Sequence, residues 1–350
     1  LILALSVFLV SAAFSQDVAG TFTEFQAPDA GTGYLQGTQA GSINASGEVS
    51  GFYYDSGGVA HGFIRSASGT ISEFSVAGAG DAEYEGTFGG QINASGTICG
   101  SYIDSNGAYH GYVRNSAGAI TPFDVTGDGT AKGQGTQCGG LNAAGTAAGY
   151  YIDKDSVSHG YVRAADGNIT IFNVAGAGTG AGQGTQGIAI NGAGTVTGNY
   201  IDASGAITGF VRTSAGNITT FSVSGAVDGT LPTAINAAGT TAGVYLGDFL
   251  TPYGFKRSAA GVITQLNLVN SKNIGVTGIS NKGTICGWVF DVDNTAFLVS
   301  ASGTVTYFQA PGAAVILGGG TTAAGINGAG TVVGSFANSG LVYEGYVWKE

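Results

Sequence analysis

Residues 38–74 read TQAGSINASGEVSGFYYDSGGVAHGFIRSASGTISEF, and the way this stretch breaks decides the fold. It contains four short apolar runs, at 40–43, 48–54, 61–65 and 70–74, separated by turns at 44–47, 55–58 and 66–69. Asparagine, aspartate or serine opens each turn by bonding its own backbone, and glycine supplies a positive φ at its end. No segment of the chain holds a helical period over the length a helix needs. The stretch therefore reads as a four-stranded antiparallel meander of about 45 residues, the length of a propeller blade.

The unit recurs. The motif I/L-N-x-x-G opens hairpins at Asn44, Asn93, Asn142, Asn191, Asn236, Asn281 and Asn327, at spacings of 49, 49, 49, 45, 45 and 46 residues. The expected fold is all-β: a seven-bladed β-propeller of four-stranded antiparallel blades, filling residues 16–350 as one domain. A β-solenoid is the alternative. The last unit stops at 345–350, after its third run, while residues 20–25 (GTFTEF) align with 69–74 (GTISEF). The segment FQAP also occurs twice, at 25–28 and 308–311. An N-terminal strand pairing into the last blade would close such a ring and leave no loose edge.

Composition limits the partners. The chain has 350 residues, 65 of them glycine, with 9% charged residues and a formal net charge of −11. An acidic chain without a basic run argues against nucleic acid and against anionic membrane surfaces. The opening LILALSVFLVSAAFSQ is an apolar run followed by small residues, with Ala13 and Ser15 in a signal-peptidase pattern. Residues 1–15 are thus expected to be a truncated signal peptide and the protein to be secreted, extracellular or at the cell surface. No later run reaches the ~18–20 apolar residues of a membrane span. Cys99, Cys138 and Cys286 form an odd set without metal-ligand spacing. Buried free thiols are expected, with a disulfide left open.

The polar residues repeat with the unit. Aspartate recurs as Asp55, Asp104, Asp153, Asp202 and Asp291. His61, His110 and His159 share one repeat position, and Arg65, Arg114, Arg163, Arg212 and Arg257 share another; these are all the histidines and arginines of the chain. An Asp–His pair can act as acid and base, but a site on a ring breaks symmetry, whereas these groups are copied from unit to unit. They are read, with Asn44, Asn93 and Asn142, as structural positions. Aspartate suits an Asx turn, histidine a bond to a nearby carbonyl or carboxylate, and arginine a place between blades, bonding carbonyls or an acid. No catalytic residue is assigned. Asp104, Asn106, Asp153, Asp155, Asp291 and Asp293 resemble fragments of calcium loops, but no Glu-terminated run of ligands follows. Calcium is the one cofactor considered, and otherwise none is expected.

Glycine-rich stretches at 133–137 and 182–186 lack the Lys and the helix of a phosphate loop. They read as connectors between blades. Connectors at 26–39, 75–88, 124–137 and 173–186 leave the ring on the same face as the second-to-third turns. Long loops on a rigid scaffold commonly carry binding. The candidate rim is therefore Tyr34, Gln36, Asp55, Tyr84, Asp104, Gln134, Asp153, Gln183 and Asp202.

The segments INASGTICG (92–100) and HGYVR (110–114) resemble the HAF repeats of bacterial extracellular proteins. Glycine follows the histidine where that family has alanine, and the later units lack the histidine. The resemblance implies a secreted repeat protein and carries no activity that can be transferred. The expected function is a secreted, non-enzymatic binding or scaffold module for an extracellular glycan, surface polymer or protein. The alternatives are a polysaccharide hydrolase or lyase on the same scaffold, and a purely structural cell-surface or matrix component.

Overall fold

The computed structural model describes residues 20–268, 273–290 and 293–350. The expected signal peptide at 1–15 lies outside these residues. Among the described residues are 28 strands, one short 3-10 turn at Asp248–Leu250 and no α-helix.

The first sheet contains Gly37–Ile43, Val49–Tyr54, Ala60–Arg65 and Ile71–Phe74, paired antiparallel in chain order. The same meander follows in the next five sheets. In the last sheet, Gly320–Ile326, Val332–Ala337 and Tyr343–Lys349 supply the first three strands. The outer place is taken by Thr21–Phe25 from the other end of the chain, in register from Thr21 opposite Lys349 to Phe25 opposite Gly345.

The first strand begins earlier than its apolar run suggests, because a Gly-Thr pair opens it. Gly86 forms a parallel bridge with Ala60 of the preceding sheet's third strand, and Gly37, Gly135, Gly184, Gly229 and Gly320 do the same in their units. At Gly86 φ is +108° and a Cβ would collide with the Ala60 carbonyl, so only glycine fits. The threonine that follows is fully buried and accepts from a connector amide: Ala27 N–H on Thr38 Oγ1 and Val76 N–H on Thr87 Oγ1, both at 2.8 Å. Except at the sixth sheet, each connector is thus pinned where it enters its sheet.

First strands from all the sheets line a common cavity of about 320 Å³. Buried asparagines at its edge link one sheet to the next. Asn142 Oδ1 accepts from the backbone N–H groups of Ala144 and Thr146, closing its own turn, while Nδ2 donates to the Asn191 carbonyl. Asn44 donates likewise to Asn93, Asn93 to Asn142, Asn191 to Asn236, and Asn327 back to Asn44. In the sixth unit this place belongs to Ser280, not to Asn281: Asn236 donates to the Ser280 carbonyl, and Ser280 Oγ accepts from Thr284 N–H. The I-N-x-x-G reading was one residue out there, because the sequence ISNKG places an asparagine beside the true position. Asn281 instead accepts from Ala237 N–H.

Arginine holds the seams, but not through an acid. Each guanidinium lies over the phenylalanine ending the preceding sheet's outer strand: Arg65 over Phe25, Arg114 over Phe74, Arg163 over Phe123, Arg212 over Phe172 and Arg257 over Phe221, at 4.8–5.0 Å. Nη1 donates to the next residue's carbonyl, as from Arg65 to Ser66 at 3.3 Å. Among the described residues no arginine pairs with a carboxylate. A planar cation on a ring face gains about 0.5–2 kcal/mol without the cost of burying an ion pair. Trp348 takes the arginine's register place in the last sheet and stacks on Phe308 at 4.7 Å and 10°.

The expectation of free thiols fails for two of the three cysteines. Cys99 and Cys138 form a disulfide, joining the second strand of the second sheet to the first strand of the third. They are 39 residues apart in sequence, and only the packing of neighbouring sheets brings their Cα atoms to 6.1 Å. Cys286 is free and buried, and burial pushes its thiol up to about 12.

Asn142→Ala removes a buried group with three partners and leaves those partners unsatisfied. It should cost about 2–4 kcal/mol, read as a lower midpoint in urea unfolding. The double variant Cys99→Ala/Cys138→Ala should lose about 2–4 kcal/mol and should be insensitive to reductant, whereas reductant should lower the melting temperature of the parent protein.

Candidate functional site

The second-to-third turns of the first four sheets are Asx turns. Asp104 Oδ1 accepts from the backbone of Asn106 at 2.9 Å and of Ala108 at 2.8 Å, and Gly107 completes the turn with φ +78°. Asp55, Asp153 and Asp202 accept in the same way. Asp291 lies outside the described residues.

The second carboxylate oxygen faces the histidine. His61 Nε2 is 3.3 Å from Asp55 Oδ2, His110 Nε2 is 3.5 Å from Asp104 Oδ2, and His159 Nε2 is 3.0 Å from Asp153 Oδ2. Nδ1 meets a different residue in each unit: Ser75 Oγ at 2.8 Å, Asp124 Oδ1 at 2.9 Å and Asn173 Oδ1 at 3.1 Å. Each ring is stacked on a tyrosine from the neighbouring strand, Tyr53, Tyr102 or Tyr151. This tyrosine was missed in the sequence. The strand pairing sets Tyr53 directly opposite His61, and a column-by-column alignment of the units would have shown it. The three histidines do not converge, since each bonds within its own sheet.

Burial pushes the turn carboxyls up, but hydrogen bonds outweigh it. For Asp104 the Ala108 amide, the side chain and amide of Asn106, and His110 hold the group below its ordinary 3.8. Asp55 and Asp153 are lowered by the same kinds of partner. At exposed Asp202 the Ser204 hydroxyl leads, followed by the Ala206 and Ser204 amides.

Connectors and second-to-third turns share a face, as Gln36, Gln134 and Gln183 show directly. Their Nε2 groups donate to the carbonyls of Ser56, Lys154 and Ala203 in the adjoining turns. Their Oε1 atoms accept from Gly33, Ala131 and Gly180 of their own connectors. These amides clip the connectors onto the turns. Tyr34 and Tyr84 are different, being 70% and 55% exposed. Tyr84 has φ +67°, at the place where the third and fourth connectors have Gly133 at +80° and Gly182 at +77°. Its ring stands edge-on to Tyr54 at 5.8 Å, and Tyr54 in turn contacts Phe52 and Phe88. Tyr109 and Tyr343 lie within electrostatic reach of Tyr54, and Tyr34 within reach of Tyr343. The candidate rim thus resolves into internal clips, Asx turns and a cluster of aromatic rings.

The calcium candidates gather no ligand set. Asp104 and Asp153 are held by their turns and histidines, Asn106 donates to Asp104, Asp155 pairs with Lys154, and Asp293 accepts from Gln309. Among the described residues no group of three or more His, Cys, Asp or Glu is placed to hold a metal ion.

No protein-family model and no curated protein matches the sequence. Solved structures do match its shape. A streptogramin B lyase superposes with a TM-score of 0.60 at 14% identity, covering 94% of this chain and 97% of its own. The BP39L lectin from Burkholderia pseudomallei gives 0.56 at 12% identity, covering 87% and 94%. The β-propeller domain of the Trilobed protease from Pyrococcus furiosus gives 0.54 at 8% identity, covering 89% and 95%.

The lowered turn carboxyls fix a pH dependence. Each folded value lies below the unfolded one, so their stabilisation is complete above the usual carboxylate range and is lost as pH falls through the folded values. Stability should therefore drop steeply below about pH 4. Asp104→Ala should destabilise more at pH 7 than at pH 3. Asp104→Asn keeps the turn acceptor and should recover most of the loss at pH 7, as measured by urea midpoints across pH. Sheets of four antiparallel strands around a common cavity, together with these structural likenesses, give the chain a β-propeller fold.

Proposed function

We propose that the protein is a secreted, seven-bladed propeller, closed through its N-terminal strand, and that its connector face binds an extracellular glycan without catalysis. The blade number rests on seven aligned sequence units. The pairing of Thr21–Phe25 with the last sheet and the bond from Asn327 to the Asn44 carbonyl support closure. Secretion is favoured by the inter-sheet disulfide, which suits an oxidising compartment, and by the resemblance to HAF repeats. A lectin among the structural neighbours is compatible with a binding module.

The observation that carries the reading is Tyr84. A bulky side chain in the left-handed region costs about 1–3 kcal/mol; three equivalent connectors have glycine there (Gly133, Gly182 and Gly318), and the first has Leu35 at φ +59°. The strain keeps a half-exposed ring against Tyr54 on the connector face. Such a ring offers an apolar face for a sugar ring and a hydroxyl for its polar edge. Rigid aromatic surface on a fixed scaffold binds at low entropic cost.

Tyr84→Gly separates stability from binding. It should leave the unfolding free energy unchanged or raise it by up to about 1 kcal/mol, while weakening retention on the preferred polysaccharide about tenfold or more in affinity electrophoresis. Equal retention of the variant and the parent protein would remove the aromatic surface from the account, and turnover of the polysaccharide would make the protein an enzyme.

A further inference from the structure

A second cavity, of about 410 Å³, opens at the outer edge of the connector face, where the N-terminal connector meets the first sheet. Asp29, Asp55 and Glu73 contribute carboxylates to it, and Tyr53, His61 and Ser75 form much of the rest. The Tyr53–His61–Asp55 part is copied in other units; Glu24 recurs at the Glu73 place in the last sheet and Ser222 at the Ser75 place in the fourth unit, but Asp29 is not repeated and no other unit combines all three. Gly78, Gly127, Gly176, Gly225 and Gly312 stand where the first connector has Asp29. Pro122, Ile171, Thr220, Gln265 and Tyr307 stand in the next five units where the first has Glu73. Asp124 and Asn173 replace Ser75 in the two other histidine units. Asp29, Glu73 and Ser75 thus meet in the first unit's cavity, a combination that no other unit repeats.

The chemistry of the lining is specific. Glu73 Oε1 accepts from the Asp29 amide at 3.1 Å, which draws the connector onto the outer strand. Among the described residues neither Asp29 nor Glu73 has a Lys or Arg partner. Burial first, then Glu73, Asp29 and Asp55, raise the Tyr53 hydroxyl well above its ordinary range, so it stays a neutral donor and acceptor. The cavity therefore offers carboxylate acceptors without a Lys or Arg partner, together with the hydroxyls of Tyr53 and Ser75.

We propose that this cavity binds a primary ammonium group carried on a hydroxyl-bearing body, that is, one amino-sugar residue. Three N–H donors of an ammonium match several carboxylate acceptors, charge-assisted bonds of this kind being about twice as strong as neutral ones. Sugar hydroxyls serve the remaining oxygens and the Ser75 hydroxyl. The volume admits a single sugar ring and leaves an open side through which a chain could continue. The assignment rests on the connector face as a glycan-binding surface and narrows its ligand.

The test is calorimetric titration with glucosamine at low ionic strength, using Asp29→Gly/Glu73→Thr as the variant. Both replacements are residues that other units already carry at these positions, so the fold should survive, and urea unfolding checks that it does. Glucosamine should bind the parent protein, about tenfold or more weaker to the variant, and weaker in 0.5 M salt, roughly as expected for an exposed ionic contact. N-acetylglucosamine, which lacks the charge, should not bind measurably. No glucosamine binding, equal binding to the variant, or equal binding of N-acetylglucosamine would overturn the proposal. Lysine binding more tightly than glucosamine would overturn the sugar assignment. Polysaccharide retention is measured alongside: retention that persists while glucosamine gives no signal defeats this site alone, whereas absence of any retention defeats the binding face.

Discussion

The buried asparagine at the end of the first strand, replaced by Ser280 in the sixth sheet, is the constraint on which the rest depends. One side chain closes its own turn with Oδ1 and reaches the next sheet's carbonyl with Nδ2, as Asn142 does with Thr146 and Asn191. Local and long-range order are therefore fixed by the same group. A sheet that lost its turn would also lose its neighbour. The bond from Asn327 to Asn44 applies the same rule between the two ends of the chain, 283 residues apart. At the outer edge the Arg–Phe contacts repeat this logic with a different chemistry, since each guanidinium belongs to one sheet and each ring to the one before.

Much of this architecture was legible in the sequence because it is written repeatedly. The turns carry Asn, Asp or Ser followed by Gly, and the first strand opens with Gly-Thr in every sheet but the sixth. The exchange of the N-terminal strand was visible as a missing fourth run at one end and a spare one at the other. What escaped were contacts between units. Nothing in the spacing of Cys99 and Cys138 shows that two different strands carry them to one seam. Phe25, Phe74 and Phe123 look like ordinary core residues until the arginines of the following sheets are seen over them. Ser280 was passed over because an asparagine follows it.

The candidate site divides along the same line. Asp55, Asp104 and Asp153, which the sequence shows as repeated, hold turns and histidines. The glutamines expected at the rim are clips between connector and turn, for their amides are satisfied within the protein. The residues with chemistry to offer are those that break the pattern. Tyr84 holds a place that suits glycine, and Asp29 stands where five other units have glycine. Repetition builds the scaffold, and departures from it mark where a ligand is expected.

All of these departures lie on the connector face or its outer edge. The asparagine turns lie at the opposite ends of the first strands. Hydrogen–deuterium exchange of the intact protein, with and without a glucosamine oligomer, tests this placement most directly. The account predicts new protection in peptides covering residues 29–36, 52–61 and 73–88, with the turns at 44–47, 93–96 and 142–145 unchanged. Protection confined to those turns, or spread evenly over all the units, would contradict it.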